Sequence, residues 1–397
     1  WGDLLRGANP LAVVILGLAN AYSLIRAAIL LVVETALAVI DFVKGLIDGH
    51  DLRRELRFVP ARVGICVLLR ELVTIGAKID VARGLPIVHL NLLGYDEQAH
   101  RRGPGSGFAH WALKGIDDAA ARIWRAARRS KRRDYDIWVY SDHGQEACRP
   151  YASIAGRGLD AAVVRARSEQ ATADDGSQEH FVQSHRVRMR GGTGHWQQMP
   201  PTEGTSPSAL GQPTELAAMG PVAHLYLPRP IDRDDLEALA SRLTSAESVP
   251  MAIASSAAGT ADAWTAEGRF TLPDEAVTVF GAEHPHLAEI GADMVALAHH
   301  PQAGDLVLCG WRHGATPVSF AVENGAHGGA GPEETAGFAL LPEDAPLAAP
   351  PAKIRPLDLR QAARRHLGRA APAAPDVVSD SQADDAVIRL MSYNVHS

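Results

Sequence analysis

The sequence predicts an α/β protein, a three-layer α/β/α sandwich with a mostly parallel central sheet, preceded by an apolar helical segment. Two apolar runs typical of buried strands, residues 85–93 (LPIVHLNLL) and 135–141 (YDIWVYS), flank a stretch with helical periodicity at residues 106–130. A strand, a helix and a second strand at this spacing form a βαβ unit, in which the two strands are parallel. The hydrophobic share of 46% supports a large core.

The N-terminal part of the chain is strongly apolar. Residues 11–47 contain no proline and only a few polar side chains, which predicts a helix. This run is long enough to span a bilayer, but Arg26, Glu34, Asp41 and Lys44 interrupt it, and a charge inside a membrane is costly. Two interpretations stay open: a helix that packs on the domain or lies on a membrane surface, and a helix that spans a membrane. The protein is accordingly either membrane-associated or cytoplasmic.

The chain divides into four predicted parts. They are an apolar helical segment at 1–50, an α/β domain at 51–343, a Pro/Ala-rich linker at 344–385, and the first strand of a truncated second domain at 386–397. Within the α/β domain we expect further strands at 222–228, 305–311 and 318–324, a helix at 232–245, and a polar insertion at 166–215. Because the sequence starts at Trp1 and ends as a strand begins, we expect it to be a piece of a longer protein.

Composition excludes several functional classes. The net charge of -7 argues against general nucleic-acid binding, so we expect no specific nucleic-acid partner for this domain. The three cysteines, Cys66, Cys148 and Cys309, are too widely spaced for a disulfide framework or a cysteine zinc site. The basic run at 122–133 (RIWRAARRSKRR) is either a solvated helix face or a surface for phosphate or anionic lipid.

Aspartate and histidine side chains follow the predicted strands where those strands end. Five residues do so, and they are Asp96, His100, Asp142, His143 and His327. The first two follow the strand at 85–93, the next two follow the strand at 135–141, and the last follows the strand at 318–324. Ligands of parallel sheets lie beyond the carboxyl ends of the strands. We therefore expect all five side chains to meet at one edge of the sheet.

This set of side chains predicts a metal site. Mixed carboxylate and imidazole ligands suit zinc or another divalent transition metal. Five ligands exceed what one tetrahedral ion needs, so the sequence predicts two divalent metal ions, with zinc as the expected metal. A two-metal site stabilises the attacking and leaving oxygens of a displacement at phosphorus, which indicates a small phosphate ester as substrate. Nearby glycines, at positions 94, 144, 325 and 328, allow tight turns beside the ions.

Four motifs resemble the alkaline phosphatase superfamily, and within it the nucleotide pyrophosphatase and type I phosphodiesterase group. They are GYDEQAHRRGP, GIDDAAARIWR, SDHGQ and ENGAHGGAGPEE, spread over residues 85–342. The resemblance implies that Asp96, His100 and His327 bind one metal ion and that Asp142 and His143 bind the other. In the family, the second ion also takes an aspartate and a Ser or Thr nucleophile, both upstream of the D-x-x-x-H segment.

The sequence departs from the family at this point. Residues 1–84 contain no strand that ends in Asp and is followed by a Ser or Thr nucleophile. We therefore expect the nucleophile upstream of Trp1, and expect the 397-residue chain alone to be inactive.

The resemblance implies hydrolysis of a phosphodiester or nucleotide pyrophosphate bond through a covalent phosphoryl intermediate on the Ser or Thr. Other reactions on the same scaffold stay open: phosphomonoester hydrolysis, sulfate ester hydrolysis and phosphoryl transfer. A catalytically degenerate, membrane-tethered binding module is an alternative of another class.

The C-terminal residues VIRLMSYNVHS are similar to the first strand of the endonuclease/exonuclease/phosphatase family, which implies that Asn394 belongs to the metal site of a second domain. Nothing in the sequence predicts the oligomeric state.

A few other residues are weaker candidates. His185, His195 and Trp196 either line a substrate entrance or lie on the surface by chance. A second set, His299, His300 and Asp305, either supports the ligands or has packing and capping roles. Glu146 follows the SDHGQ motif and has no predicted role.

Overall fold

The computed structural model describes Leu11, Leu18 and residues 21–47, 64–171, 181–185, 214–227, 231–347 and 353–369. Within these residues the chain is a mixed α/β protein, so this part of the fold prediction is confirmed. The predicted second-domain strand at 386–397, with Asn394, lies outside the described residues.

The first part of the described chain is helical. It contains α1 (Ala21–Ile47), a π-helix (Gly64–Leu69), α2 (Arg70–Arg83), α3 (Tyr95–Arg102) and α4 (Gly107–Arg128). The predicted helix at 106–130 is observed as α4, which begins where the Ser106 hydroxyl accepts a hydrogen bond from Ala109 N–H. Small buried residues, among them Ala112 and Ala119, let α2 and α3 pack closely against α4.

The polar side chains of α1 contact the neighbouring helices. Arg26 donates hydrogen bonds to Glu71 at 2.7 Å and to Asp118 at 2.8 Å, and Glu34 accepts one from the Trp111 indole N–H at 2.9 Å. Helix α1 therefore packs on the domain, as one of the two interpretations expects. Asp41 and Lys44 have side chains outside the described part of the chain.

The opposite face of α1 is apolar and exposed. Its large side chains are Tyr22, Ile25, Ile29, Val32, Val39, Ile40 and Val43. None of the helices in the described residues is both long and apolar enough to cross a membrane. Association of α1 with a membrane surface stays a prediction.

We expect Glu71→Ala to lower the free energy of unfolding by about 3 kcal/mol, because it removes one partner of a buried charge network. The Glu71 carboxylate is 2% exposed and accepts hydrogen bonds from Arg26 and, at 2.6 and 2.7 Å, from Arg122. Urea unfolding measures the change. Asp80→Asn is the matched control, since Asp80 forms only an exposed pair with Arg83 at 3.4 Å. Equal effects of the two substitutions would contradict the prediction.

The predicted βαβ unit is not formed in the described residues. Residues 85–93 pair with no other strand described here, and the strand predicted at 135–141 is reduced to β1 (Val139–Tyr140). Strand β1 pairs antiparallel with β13 (Ala339–Leu340), far along the chain. An apolar run specifies a strand only when a partner lies beside it to accept its backbone hydrogen bonds, and the run at 85–93 has no such partner among the described residues.

The main sheet has seven strands and is mainly antiparallel. Its strands are β4 (Phe181–His185), β5 (Thr214–Met219), β6 (Val222–Tyr226), β7 (Met251–Ser255), β8 (Ala261–Thr265), β9 (Gly268–Leu272) and β10 (Leu306–Cys309). The spatial order is β4-β5-β6-β10-β7-β8-β9, and only β4 and β5 are parallel. The prediction of a mostly parallel sheet is therefore wrong for the described residues. The strands predicted at 222–228 and 305–311 are observed as β6 and β10.

Helices cover both faces of this sheet. They are α5 (Tyr151–Ala155), α6 (Leu159–Ala171), α7 (Arg233–Ser245), α8 (Ala276–Phe280) and α9 (Leu287–Ala298). Side chains that alternate along the strands separate two cores, with Ala254 packed among residues of α6 and α7, and Ile253 among residues of α8 and α9. The predicted helix at 232–245 is observed as α7. Of the predicted insertion at 166–215, only the two ends and β4 are described.

Six further short elements complete the described chain. They are β2 (Glu146–Ala147), β3 (Arg149–Pro150), β11 (Val318–Ser319), β12 (Gly325–Ala326), α10 (Pro332–Thr335) and α11 (Pro356–His366). The strand predicted at 318–324 is thus observed only as β11, which pairs with β3. Helix α11 lies within the predicted linker, and the residues before it pair with α9 through Lys353–Glu289 and Arg355–Asp293.

Candidate metal centre

Asp96 and His100 lie on one face of α3. They are four residues apart, which places their side chains one helical turn apart on the same side. The helix begins after Gly94, whose N–H donates to the Glu97 carboxylate at 3.0 Å. A carboxylate in the first turn, such as that of Asp96, is favoured by the helix dipole. The relative position of Asp96 and His100 therefore follows from the local helix alone.

His143 lies in the SDHG loop that follows β1. The loop is held against α10 by a hydrogen bond from Gly144 N–H to the Glu334 carbonyl at 2.9 Å. A Cβ atom at Gly144 would lie 2.0 Å from the Glu333 carbonyl oxygen, so only glycine fits. This close approach sets the position of the His143 backbone.

His327 follows β12, which is bound on two sides. Strand β12 pairs antiparallel with β2, and the preceding Asn324 donates its N–H to the His100 carbonyl at 2.7 Å and its side-chain amide to the Arg101 carbonyl at 2.9 Å. One short strand thus connects α3 with the segment that follows the SDHG loop. This connection brings three distant parts of the sequence together.

Asp96, His143 and His327 converge in space and are called here the Asp–His cluster. One ligand atom from each residue lies within 4.8 Å of the others. The Asp96 Oδ1 and His327 Nε2 atoms are 3.6 Å apart, and the His143 and His327 rings stack with centroids 3.6 Å apart. Ligand atoms around a tetrahedral zinc ion, at about 2.0–2.1 Å from it, lie roughly 3.4 Å from one another. The spacing therefore suits one divalent ion.

Three atoms of this cluster are buried without a hydrogen bond. They are both carboxylate oxygens of Asp96 and the Nε2 atom of His327. His100 Nε2 lies 3.1 Å from Asp96 Oδ1 and is the ion-pair partner of that carboxylate. Buried polar atoms normally have partners, so these unsatisfied atoms fit a ligand that accepts their lone pairs. A divalent cation is such a ligand.

Backbone carbonyls orient the imidazole rings of His100 and His143. His143 Nδ1 lies 2.7 Å from the Gly144 carbonyl oxygen, and His100 Nδ1 lies 2.9 Å from the Gly325 carbonyl oxygen. A carbonyl only accepts, so each Nδ1 carries the proton. Each Nε2 is then the nitrogen left for a metal, and in His100 metal binding displaces the proton that Nε2 shares with Asp96.

Burial and charge shift the pKa values at the cluster. Burial lowers the pKa of His327 to about 4, with a further contribution from His143, so this imidazole is neutral at pH 7. Burial raises the pKa of Asp96, but His100 and the other histidines outweigh it and lower the value, which keeps the carboxylate ionised. Burial lowers the pKa of His100, but Asp96 and Glu323 outweigh it and raise the value to about 10.

The five predicted ligands form one connected group, with a grouping that differs from the one implied by the resemblance. His143, which the resemblance placed on the second ion, lies with Asp96 and His327. His100 contacts Asp96 at the side of the cluster. Asp142 is exposed, and its Oδ1 accepts the His143 backbone N–H at 3.1 Å and lies 3.6 Å from His143 Nε2. The presence of two ions stays a prediction.

Sequence reasoning missed two carboxylates that support the centre. Glu323 contacts His100 at 2.8 Å. Glu334, 4% exposed, accepts the N–H groups of Gly329 and Gly331, each at 2.7 Å, and so holds the loop after His327. Burial raises the pKa of Glu334 to about 7. The signal for Glu334 is present in the sequence, because GPEE places Pro at the first helical position and Glu at the third, as in a capping box.

The weaker candidates have structural roles where they are described. Asp305 accepts the Leu227 N–H at 2.7 Å, and the His299 ring bonds to the Thr260 carbonyl at 2.7 Å. Glu146 accepts the Glu333 N–H at 3.0 Å and so supports α10. The side chain of His185, and His195 with Trp196, lie outside the described residues.

No protein-family model, curated protein or solved structure matches this chain.

Proposed function

We propose that this chain is the metal-binding part of a hydrolase that cleaves phosphate esters, specifically phosphodiester or nucleotide pyrophosphate bonds. The observation that supports the proposal is the Asp–His cluster, in which three sequence segments each bring one ligand atom to within 4.8 Å of the others, with buried, unsatisfied atoms on Asp96 and His327. Mixed carboxylate and imidazole ligation is the chemistry of catalytic zinc sites.

The residues fit a divalent ion in distinct ways. Asp96, His143 and His327 would hold one ion, with His100 beside Asp96 as a further ligand. We propose Asp142 as a ligand of a second ion, because its carboxylate is exposed beside His143. Bound divalent ions would polarise a phosphoryl oxygen and stabilise the charge that develops in the displacement.

The chain's own groups set the geometry of this chemistry. The carboxylate of Asp96 supplies the negative charge of the cluster, and the neutral ring of His327 supplies a lone pair. The Nδ1–H of His143 donates to Gly144 O and fixes the ring. Ser141 does not act as nucleophile in this proposal, because its hydroxyl accepts the Phe338 N–H at 2.9 Å and supports the loop.

The proposal also includes the catalytic groups that this chain does not supply. We propose membership of the alkaline phosphatase superfamily, with the Ser or Thr nucleophile and a further aspartate in a segment upstream of Trp1. The same segment would supply strand partners for residues 85–93, which have none among the described residues, and would complete a parallel sheet.

Hydrolysis of chromogenic esters tests the function. A longer protein that includes the upstream segment is expected to cleave bis(p-nitrophenyl) phosphate faster than p-nitrophenyl phosphate or p-nitrophenyl sulfate, and to lose the activity with a chelator. The 397-residue chain is expected to bind zinc but to cleave none of the three, because it lacks the nucleophile. Zinc binding without hydrolysis by the longer protein would favour the binding-module alternative and contradict the enzyme proposal. Faster cleavage of the monoester or sulfate ester would reassign the substrate.

A further inference from the structure

We propose that Glu323 is a positioning residue of the candidate metal centre, which orients the His100 ring so that Nε2 is presented to the metal beside Asp96. This inference rests on the proposed metal-binding function. Glu323 is not one of the five predicted ligands. It acts through its contact with one of them, His100.

Both oxygens of the Glu323 carboxylate are engaged. Oε2 lies 2.8 Å from His100 Nδ1, and Oε1 accepts the Ser319 hydroxyl at 2.6 Å. Ser319 is fully buried, and its oxygen in turn accepts the Ala321 N–H at 3.1 Å. The Glu323 side chain is only 14% exposed. A carboxylate fixed at one oxygen and largely shielded from water has little freedom to leave its histidine partner.

The segment at 323–325 holds His100 at three points. Besides the Glu323 carboxylate, the Gly325 carbonyl lies 2.9 Å from the same Nδ1, and Asn324 N–H bonds to the His100 carbonyl. Two residues later the same segment provides His327. A single stretch of chain thus carries one member of the Asp–His cluster and fixes the orientation of a neighbouring histidine. Gly325 O defines the tautomer, and Glu323 adds the negative charge.

A carboxylate behind a metal-binding histidine has two effects. It restricts rotation of the ring, and it makes the opposite nitrogen a better donor to the metal. Removal of such a group typically lowers metal affinity by about 10- to 100-fold. The two effects separate experimentally, because glutamine retains an acceptor of the same shape without the charge, whereas alanine removes both.

Zinc affinity of the 397-residue chain, measured by competition with a chromophoric chelator, tests the role. We expect Glu323→Gln to weaken zinc binding by about 10-fold and Glu323→Ala by up to about 100-fold. Glu237→Gln is the matched control, since Glu237 lies on α7 and its carboxylate, 39% exposed, pairs with Arg269 at 2.9 Å. The cobalt-substituted proteins give a second measurement, because the visible bands of Co²⁺ change when a ligand is lost or reoriented. A purely structural role would lower the thermal stability of the metal-free protein and leave the bands unchanged.

The outcomes are distinct. Zinc affinity and cobalt bands of both Glu323 variants equal to those of the parent would overturn the role of Glu323 while leaving the metal-binding proposal intact. A parent chain that binds no zinc would refute the metal-binding proposal, and the inference would fall with it. If Glu323→Ala does not fold, Glu323→Gln decides, because it preserves the shape of the side chain.

Discussion

Asp96→Asn is expected to weaken zinc binding by more than about 100-fold, beyond the loss typical of a residue that only supports a ligand. Asp96 contributes the carboxylate of the Asp–His cluster, and both of its oxygens are buried without a hydrogen bond. An amide has no negative charge and offers the ion one neutral oxygen. Chelator competition measures the affinity, and thermal unfolding with and without zinc reports the same loss, since a ligand at 100 times its Kd stabilises the folded state by about 2.7 kcal/mol.

The metal-free forms provide an internal check on this result. The lowered pKa of Asp96 means that its carboxylate is favourably paired with His100 in the folded metal-free protein, so metal-free Asp96→Asn should be less stable than the metal-free parent at pH 7. Asp274→Asn is the control, because Asp274 is exposed. A parent-like zinc affinity in Asp96→Asn would show that Asp96 is not a ligand. Metal-free Asp96→Asn that is as stable as the metal-free parent would contradict the pairing of Asp96 with His100.

Sequence periodicity predicted those elements in which the pattern of apolar residues within the element itself marks the buried face. Helix α4 shows an apolar stripe that begins after the serine cap at Ser106, and α7 likewise has apolar residues at helical spacing after the cap at Asp232. Strand β10 is a continuous apolar run buried on both sides. Each of these signals lies within one continuous segment of at most 22 residues. The structure places these elements close to where the sequence predicts them.

Strand pairing could not be predicted in the same way. The apolar run at 85–93 has the composition of a buried strand, but its alternation carries no information on which segment lies beside it or in which direction. The adjacent strands of the main sheet join mostly as antiparallel neighbours, and β6 pairs with β10 across some eighty residues. Such pairings depend on tertiary contacts, so the parallel arrangement inferred from one βαβ pattern did not extend to the described sheet.

The candidate site likewise combines features that local sequence predicts with features that depend on tertiary contacts. The five candidate ligands were predicted from residue type at the ends of predicted strands, and the structure places them in one connected group. Glu323 could not be recognised, because its partner His100 is more than two hundred residues away in sequence. The grouping of His143 with Asp96 also depends on how β12 pairs with β2, which no local pattern encodes.

Gly144→Ala should be the most damaging single-methyl change near the centre. The added Cβ would lie 2.0 Å from the Glu333 carbonyl oxygen and 2.3 Å from that of Ala336. Both are backbone atoms of or beside α10, which is itself fixed by the Glu334 carboxylate through Gly329 and Gly331. The SDHG loop must therefore move instead. We expect a loss of about 3 kcal/mol in unfolding free energy, at the upper end for overpacking.

The displacement should also reach the metal. Moving the SDHG loop separates the His143 ring from the His327 ring, on which it stacks, so zinc affinity should fall together with stability. Urea unfolding of the metal-free protein and chelator competition measure the two quantities. Gly105→Ala is the matched control, because a Cβ there meets no atom within 4 Å. If Gly144→Ala matched that control in both measurements, α10 would have to be free to yield, and the SDHG loop would not be what fixes His143 in the cluster.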